Sequence, residues 1–326
     1  MNKRNIGKLE VSSVGFGCMG LSHAYGPAMA KDEAIQIIRD AVEAGYTYFD
    51  TAECYLGNFA DGSPANNELI VGEALKPYRK NVVIATKFGV THGGDHLIMD
   101  SSPETIRKSV DGSLKRLGID CIDLYYQHRI DPKVEPETVA EVMNELMKAG
   151  KIRFWGISET NEDYLRRADA VCKVTAIQNR YSMMARWYEN LFPVCEELDI
   201  GYVAFSPLAN GILSDAFKKG DTFAAGDFRS SMPQYSDDGH EANKELMDMI
   251  RNLAEEKKAT PAQISLAWML CKKQFICPIP GTRKKERLIE NAKAADIALT
   301  SEEIKSIDDR LGQIKMSGVF GGHQRK

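Results

Sequence analysis

Four side chains able to move a proton, Asp50, Tyr55, Lys87 and His128, sit at or just beyond the ends of short apolar runs with strand character. The runs are YTYFD, ending at Asp50, NVVIATK, ending at Lys87, and IDLYYQH, ending at His128; Tyr55 lies five residues beyond Asp50 in DTAECY. A phenol is a weak acid near neutral pH, but an adjacent ammonium favours its ionised form and an adjacent carboxylate holds that ammonium in place. If the runs are parallel strands of one barrel, their ends open on one face and the four groups meet there. Tyr55 then becomes a usable proton donor. Singly, each residue has an ordinary explanation: Asp50 as a strand-end cap, Lys87 as a snorkelling side chain, Tyr55 as an interfacial aromatic, His128 as a satisfied loop histidine. The argument rests on the four together.

The elements needed to position them can be read along the chain. RNIG-KLEVSSVGFG reads as a short hairpin leading into a first strand, GFGCM, because Lys8-Leu9-Glu10-Val11 alternates between glycines. Residues 31–44 place Ile35, Ile38, Ala41 and Val42 at helical spacing, and Gly45 closes that helix before YTYFD. NELIVGEALKPY is a second helix, followed by NVVIATKFG. In SSPETIRKSVDGSLKRLG, Ser102 caps, Pro103 suits the first helical position, Ile106, Val110, Leu114 and Leu117 form one face, and Gly118 ends the helix before IDLYYQ. Residues 136–149 repeat the scheme before IRFWGIS. VTAIQN, IGYVAFSP and FICPIPG complete the strands, separated by EDYLRRADAV, RWYENLFPVCEELD and one long helical stretch over 244–273.

Eight strands alternating with helices predict an α/β fold, a (β/α)8 TIM barrel with a short N-terminal β-hairpin and a long loop after strand 7, forming one domain over 1–326. A doubly wound sheet is disfavoured because no GxGxxG both follows an early strand and opens a helix. Between Leu208 and Asn243 the periodicity lapses into a Gly, Ser, Asp and Phe-rich stretch of the kind that forms lids and binding loops.

Composition excludes several classes. At 43% hydrophobic and 27% charged residues with formal net charge −4, nothing recruits nucleic acid. No run approaches the roughly 18 apolar residues of a membrane span, and MNKRNIGKLEVSSVGFG lacks the apolar core of a signal peptide, so a cytoplasmic protein is expected. The seven cysteines are scattered and lack a CxxC pair; they suggest neither a disulfide framework nor a zinc site, and most of them read as small buried hydrophobes. The oligomeric state leaves no signal.

Taken together, GFGCMGLS, DTAECY, ATKFG, LYYQH, GISE, AIQNRYS, AFSPLANG and IPGTRKKERLIENAKA resemble the aldo-keto reductase family over nearly the whole chain. The resemblance implies a metal-free barrel that reduces a small aldehyde or ketone with a nicotinamide cofactor, NADPH rather than NADH. It makes Tyr55 the general acid, Lys87 paired with Asp50 the group that lowers its pKa, and His128 the group that orients the carbonyl. It assigns Thr282 and Arg283, after Gly281, to the adenosine ribose phosphate, Arg287 to the 2′-phosphate, and Glu290 with Asn291 to adenine. Ser158 and Gln178 would hold the nicotinamide carboxamide and Phe205 would stack on its ring. Ser206, Pro207, Leu208 and Gly211 would line the pyrophosphate, and Gly17, Cys18, Met19 and Asp50 would border the cofactor. Glu159 stands at a position often held by asparagine in the family, although some branches carry this acidic residue.

GTRKKERLIEN, a cationic loop turning into a helix after the eighth strand, independently suits phosphate, and the planar guanidinium of Arg287 fits it in a bidentate manner. Met19, Tyr25, Leu56, His92, Arg129 and residues 208–240 are candidates for the pocket mouth, with Arg129 a candidate for an anionic substrate. Two other functions compete. One is a cofactor-binding regulatory subunit with little turnover. The other is a hydrolase using Asp50 and Glu53, which leaves Lys87 and the cations at 283–287 unexplained.

Overall fold

The structure is a computed structural model that describes residues 1–94 and 96–322. Its centre is one eight-stranded sheet of parallel strands. These are β1 (Phe16–Gly17), β2 (Tyr48–Asp50), β3 (Val83–Phe88), β4 (Ile122–Gln127), β5 (Ile152–Ser158), β6 (Ala176–Arg180), β7 (Gly201–Phe205) and β8 (Ile276–Pro278). They neighbour one another in sequence order. The first and last meet through backbone bonds from Gly15 N to Pro278 O (2.9 Å) and Gly17 N to Pro280 O (3.3 Å). At that seam a Cβ on Gly17 would lie 2.7 Å from Ile279 O, and one on Gly281 2.6 Å from Gly17 O. Only glycine permits so close an approach. The expected (β/α)8 barrel is thus present.

Strand parity explains how the barrel is filled and where its chemistry emerges. Side chains alternate between faces, so every second residue points inward. Tyr48, Val83, Ala85, Leu124, Tyr126, Ala176, Val203, Cys277 and Ile279 form the interior cluster, closed at the base by Ile6, Leu9 and Val11 of the N-terminal hairpin. That hairpin pairs Lys3–Ile6 with Leu9–Ser12. Gly156 lacks a side chain where the Tyr126 ring crosses, 2.4 Å from an ideal Cβ. Beyond the last apolar layer, the same parity delivers Asp50, Lys87, His128, Ser158, Gln178, Arg180 and Phe205 to the carboxyl ends of the strands.

The helices pack outside. Pro103–Leu117 starts under Ser102, whose side chain accepts from Thr105 N, and ends at Gly118 in a left-handed conformation (φ 65°); Ile106, Val110 and Leu117 are buried. The stretch 244–273 is two helices, Lys244–Glu256 and Pro261–Lys272, rather than one. Lys258 takes φ 52°, and Thr260 and Gln263 form a reciprocal capping box that restarts the chain at Pro261. A proline has no N–H to continue the earlier helix but suits the first turn of a new one. Among the described residues, no helix is long and apolar enough to cross a membrane.

Two hairpins stand at the mouth that periodicity does not reveal. Leu56–Asn58 pairs with Pro64–Asn66 directly after Tyr55, and Val90–Gly93 with His96–Met99 directly after β3. The irregular stretch after β7 folds across the same end. Gly26 N donates to Gly226 O and Phe228 N to Ala24 O. Arg229, paired with Asp227 at 2.6 Å, lies over the rings of Tyr25, Phe217 and Phe223 at 4.9, 4.6 and 4.9 Å.

Candidate active site

Lys87 organises the mouth. Its Nζ donates to Asp50 Oδ1 at 2.5 Å, to Thr51 O at 2.7 Å and to the Tyr55 hydroxyl at 3.3 Å. An ammonium has three protons, and all three are used. The Tyr55 oxygen therefore accepts, which leaves its own proton free to be given to a molecule in the mouth. The second carboxylate oxygen of Asp50 accepts from Gln178 Nε2 at 2.7 Å. Asp50 and Lys87 are fully enclosed, and a buried charge pair is tolerated only with its remaining hydrogen bonds satisfied, as here. Burial works against the Lys87 charge, but Asp50 and Tyr55 outweigh it and hold the ammonium above its ordinary range. Burial raises Asp50, offset in part by Lys87 and Gln178.

The phenol departs from expectation. Burial pushes Tyr55 up to about 12, with Lys87 the chief influence in the other direction. The ammonium does favour the phenolate, but removal from water costs the anion more. Lys87 thus limits a rise instead of producing a net fall.

His128 follows β4 with its ring edge toward Tyr55, centroids 5.8 Å apart. Its Nδ1 lies 3.4 Å from Cys54 Sγ. Burial, then Arg129, Lys87, His92 and His23, push it well below the usual imidazole range, so it is neutral at physiological pH. The structure brings all four sequence-selected groups together.

The cofactor candidates divide. Ser158 donates its hydroxyl to Gln178 O at 2.9 Å and accepts from Arg129 Nη1 at 3.2 Å, while Gln178 holds Asp50. These bonds fix both side chains at the carboxyl ends of β5 and β6. Phe205 lies under two guanidinium groups, Arg180 at 4.9 Å and Arg129 at 5.8 Å. Arg129 also bonds His128 O at 2.6 Å and pairs with Glu159 at 3.3 Å. Its Nε and the Nε of neighbouring Arg180 are buried without a hydrogen-bond partner among the described residues. Glu53 accepts from Gly89 N and Ser109 Oγ, both at 3.1 Å, so it anchors a loop and does not pair with Asp50.

Beyond β8, Arg283 Nε donates to Gly20 O at 2.6 Å, Thr282 Oγ1 accepts from Lys284 N at 3.1 Å, and Arg287 pairs with Glu290 at 2.5 Å. Asn291 is buried in the same helix, Lys285–Lys293. Arg283 Nη2 and Glu290 Oε1 are buried without a hydrogen-bond partner. A buried polar atom left unpaired marks a place that a ligand can satisfy. An orphaned guanidinium nitrogen suits a phosphate oxygen and an orphaned carboxylate oxygen suits an adenine amine, so these residues fit an adenosine-phosphate cofactor. After β7, Pro207, Leu208 and Gly211 lie in a turn in which Ser206 (φ 50°), Ala209 (φ 47°), Asn210 (φ 62°) and Gly211 (φ 109°) are left-handed. Gly17, Cys18 and Met19 flank the mouth at β1.

Sequence reasoning missed His23, Cys54 and Arg180 as site residues. Arg180 had a signal, standing two places beyond Gln178 on an inward-facing parity. His23, stacked 6.0 Å from Tyr55 and 5.1 Å from His92, arrives through tertiary folding.

A polar cluster at the carboxyl ends of a parallel eight-stranded barrel is where enzymes of this fold carry their active sites. The chain is a member of the Aldo/keto reductase family, whose model matches residues 13–311. It is similar to the glycerol dehydrogenase of Gluconobacter oxydans at 27% identity, covering 96% of this chain and 95% of that one with a TM-score of 0.84. An aldo-keto reductase of Bacillus halodurans in its holo form is 27% identical over 100% of both chains, TM-score 0.76. A thermostable aldo-keto reductase in complex with the inhibitor epalrestat is 26% identical, covering 95% and 99%, TM-score 0.73. Family members use nicotinamide cofactors and act as oxidoreductases.

Proposed function

We propose that this protein reduces an aldehyde or ketone to the alcohol with NADPH, using Tyr55 as general acid. The observation that carries the reading is the saturated Lys87 ammonium, which leaves the Tyr55 proton as the one available for transfer. The nicotinamide, when bound, supplies hydride to the carbonyl carbon. Tyr55 donates its proton to the oxygen as negative charge develops there, and Lys87 stabilises the phenolate left behind. Asp50 keeps Lys87 charged and in place, with Gln178 fixing the carboxylate. Neutral His128 orients the carbonyl oxygen. Arg283 and Arg287 hold phosphate, with Arg287 on the 2′-phosphate. The substrate is a small aldehyde or ketone. NADPH consumption across a panel of aldehydes, ketones, sugars and quinones tests this; tight NADPH binding with no turnover on any of them would instead favour a regulatory subunit.

Arg287→Ala is expected to weaken NADPH at least tenfold while leaving NADH within about twofold, because a charge-assisted phosphate contact contributes about 1.5–3 kcal/mol. Titration of both cofactors by fluorescence decides it, and equal loss would contradict the phosphate assignment.

The pH dependence follows from the shifts. The acid must be protonated, a form present below the raised Tyr55 value and lost above it, while His128, shifted down, is already neutral. The reductive kcat/KM is therefore expected to stay flat from about pH 6 to about pH 9, whereas alcohol oxidation, which needs the phenolate, rises with pH. A step near the ordinary imidazole range that disappears in His128→Asn would show that His128 titrates after all.

A further inference from the structure

We propose that Cys54 is a positioning residue whose thiol donates to Nδ1 of His128, holding the imidazole in the tautomer that presents Nε2–H to the reacting oxygen. This rests on the proposed carbonyl reduction and adds to it how the orienting group is set. Cys54 precedes Tyr55 directly, packs with Ala52 and Val90, and places Sγ 3.4 Å from Nδ1, both groups being buried. A neutral imidazole carries one proton, so its tautomer decides whether Nε2 gives or accepts a hydrogen bond.

Three considerations select the direction. The thiol keeps its proton, since burial pushes it up to about 12. An imidazole lone pair is a stronger acceptor than sulfur, so S–H···N is favoured over N–H···S. The reverse tautomer would aim a bare Nε2 into the mouth, where it would repel a carbonyl oxygen and compete for the Tyr55 proton; among the described residues the Tyr55 hydroxyl is bonded to Lys87 and not to His128. The His128 backbone is fixed separately, by its N–H to Phe88 O at 3.0 Å and by Arg129 on its carbonyl. Cys54 therefore acts on the ring. Outer groups that fix a histidine's tautomer in this way tune what the other nitrogen does.

Long-range proton–nitrogen NMR of the full-length protein labelled with 15N-histidine reads the tautomer directly, with His128 assigned by the signals lost in His128→Asn. The native protein and Cys54→Ser are expected to show Nε2–H, and Cys54→Ala a mixture of both tautomers. In parallel, kcat in Cys54→Ala is expected to fall about threefold to tenfold, as for loss of one hydrogen bond, with KM for NADPH unchanged and kcat restored by Cys54→Ser. An Nδ1–H tautomer in the native protein, or an unchanged Nε2–H pattern in Cys54→Ala, would overturn the assignment. Absence of carbonyl turnover in a native protein that shows Nε2–H would overturn the reductase reading instead, so the two failures are distinguishable.

Discussion

Lys87→Met is expected to lower kcat by about 10²- to 10³-fold, the size of effect seen when a preorganised electrostatic donor is removed, while the Kd for NADPH changes little. Lys87 touches the Tyr55 oxygen and neither Arg283 nor Arg287, so the loss falls on the chemical step. The same change strands Asp50, a carboxylate enclosed in the barrel with Gln178 as its remaining side-chain donor. Removing one partner of a buried pair costs about 3–5 kcal/mol, a large share of the ~5–15 kcal/mol that holds a domain together. Denaturant unfolding should therefore report a marked loss of stability beside the kinetic one. Asp50→Asn added to Lys87→Met separates the two: the double variant no longer buries a lone charge and should regain much of the stability without regaining turnover. Recovery of turnover in the double variant, or near-normal kcat in the single one, would remove Lys87 from the mechanism.

How much of this was legible beforehand depends on how local each signal is. The strands declared themselves because an inward row such as Val83, Ala85, Lys87 or Leu124, Tyr126, His128 is apolar until the mouth and polar at it. The helix at Pro103–Leu117 carried its cap, its first-turn proline and its terminal glycine in the sequence itself. The break near residues 258–261 was also written there, as Thr260, Pro261 and Gln263, but two amphipathic segments in succession mimic one long helix. The mouth hairpins were not legible: Leu56–Asn58 and Pro64–Asn66 have only three paired residues each, too few for alternation to register.

Within the site, residue types were legible and partners were not. Gln178 reaches Asp50 across 128 positions, and Cys54 reaches His128 across 74. Neither distance leaves a trace in composition or periodicity. The same holds for Arg129, whose contacts with Glu159 and the Phe205 ring form only on folding. The direction of the Tyr55 shift was likewise out of reach, because the cost of taking a phenolate out of water depends on how deeply the folded chain encloses it.

Tyr55→Phe is expected to have the largest effect with the least disturbance. It deletes one oxygen from a half-buried ring and leaves Lys87 bonded to Asp50 and Thr51 with one N–H unpaired, so stability should fall by about 1–3 kcal/mol, less than for Lys87→Met. Loss of a positioned general acid lowers the rate by about 10²- to 10⁴-fold. The decisive measurement follows deuterium from NADPH labelled at the nicotinamide C4 into the alcohol, in the native protein and in Tyr55→Phe at matched cofactor occupancy. The account predicts label on the carbinol carbon with the native protein, and a transfer rate at least a hundredfold lower in the variant. Transfer at an undiminished rate in Tyr55→Phe would contradict it.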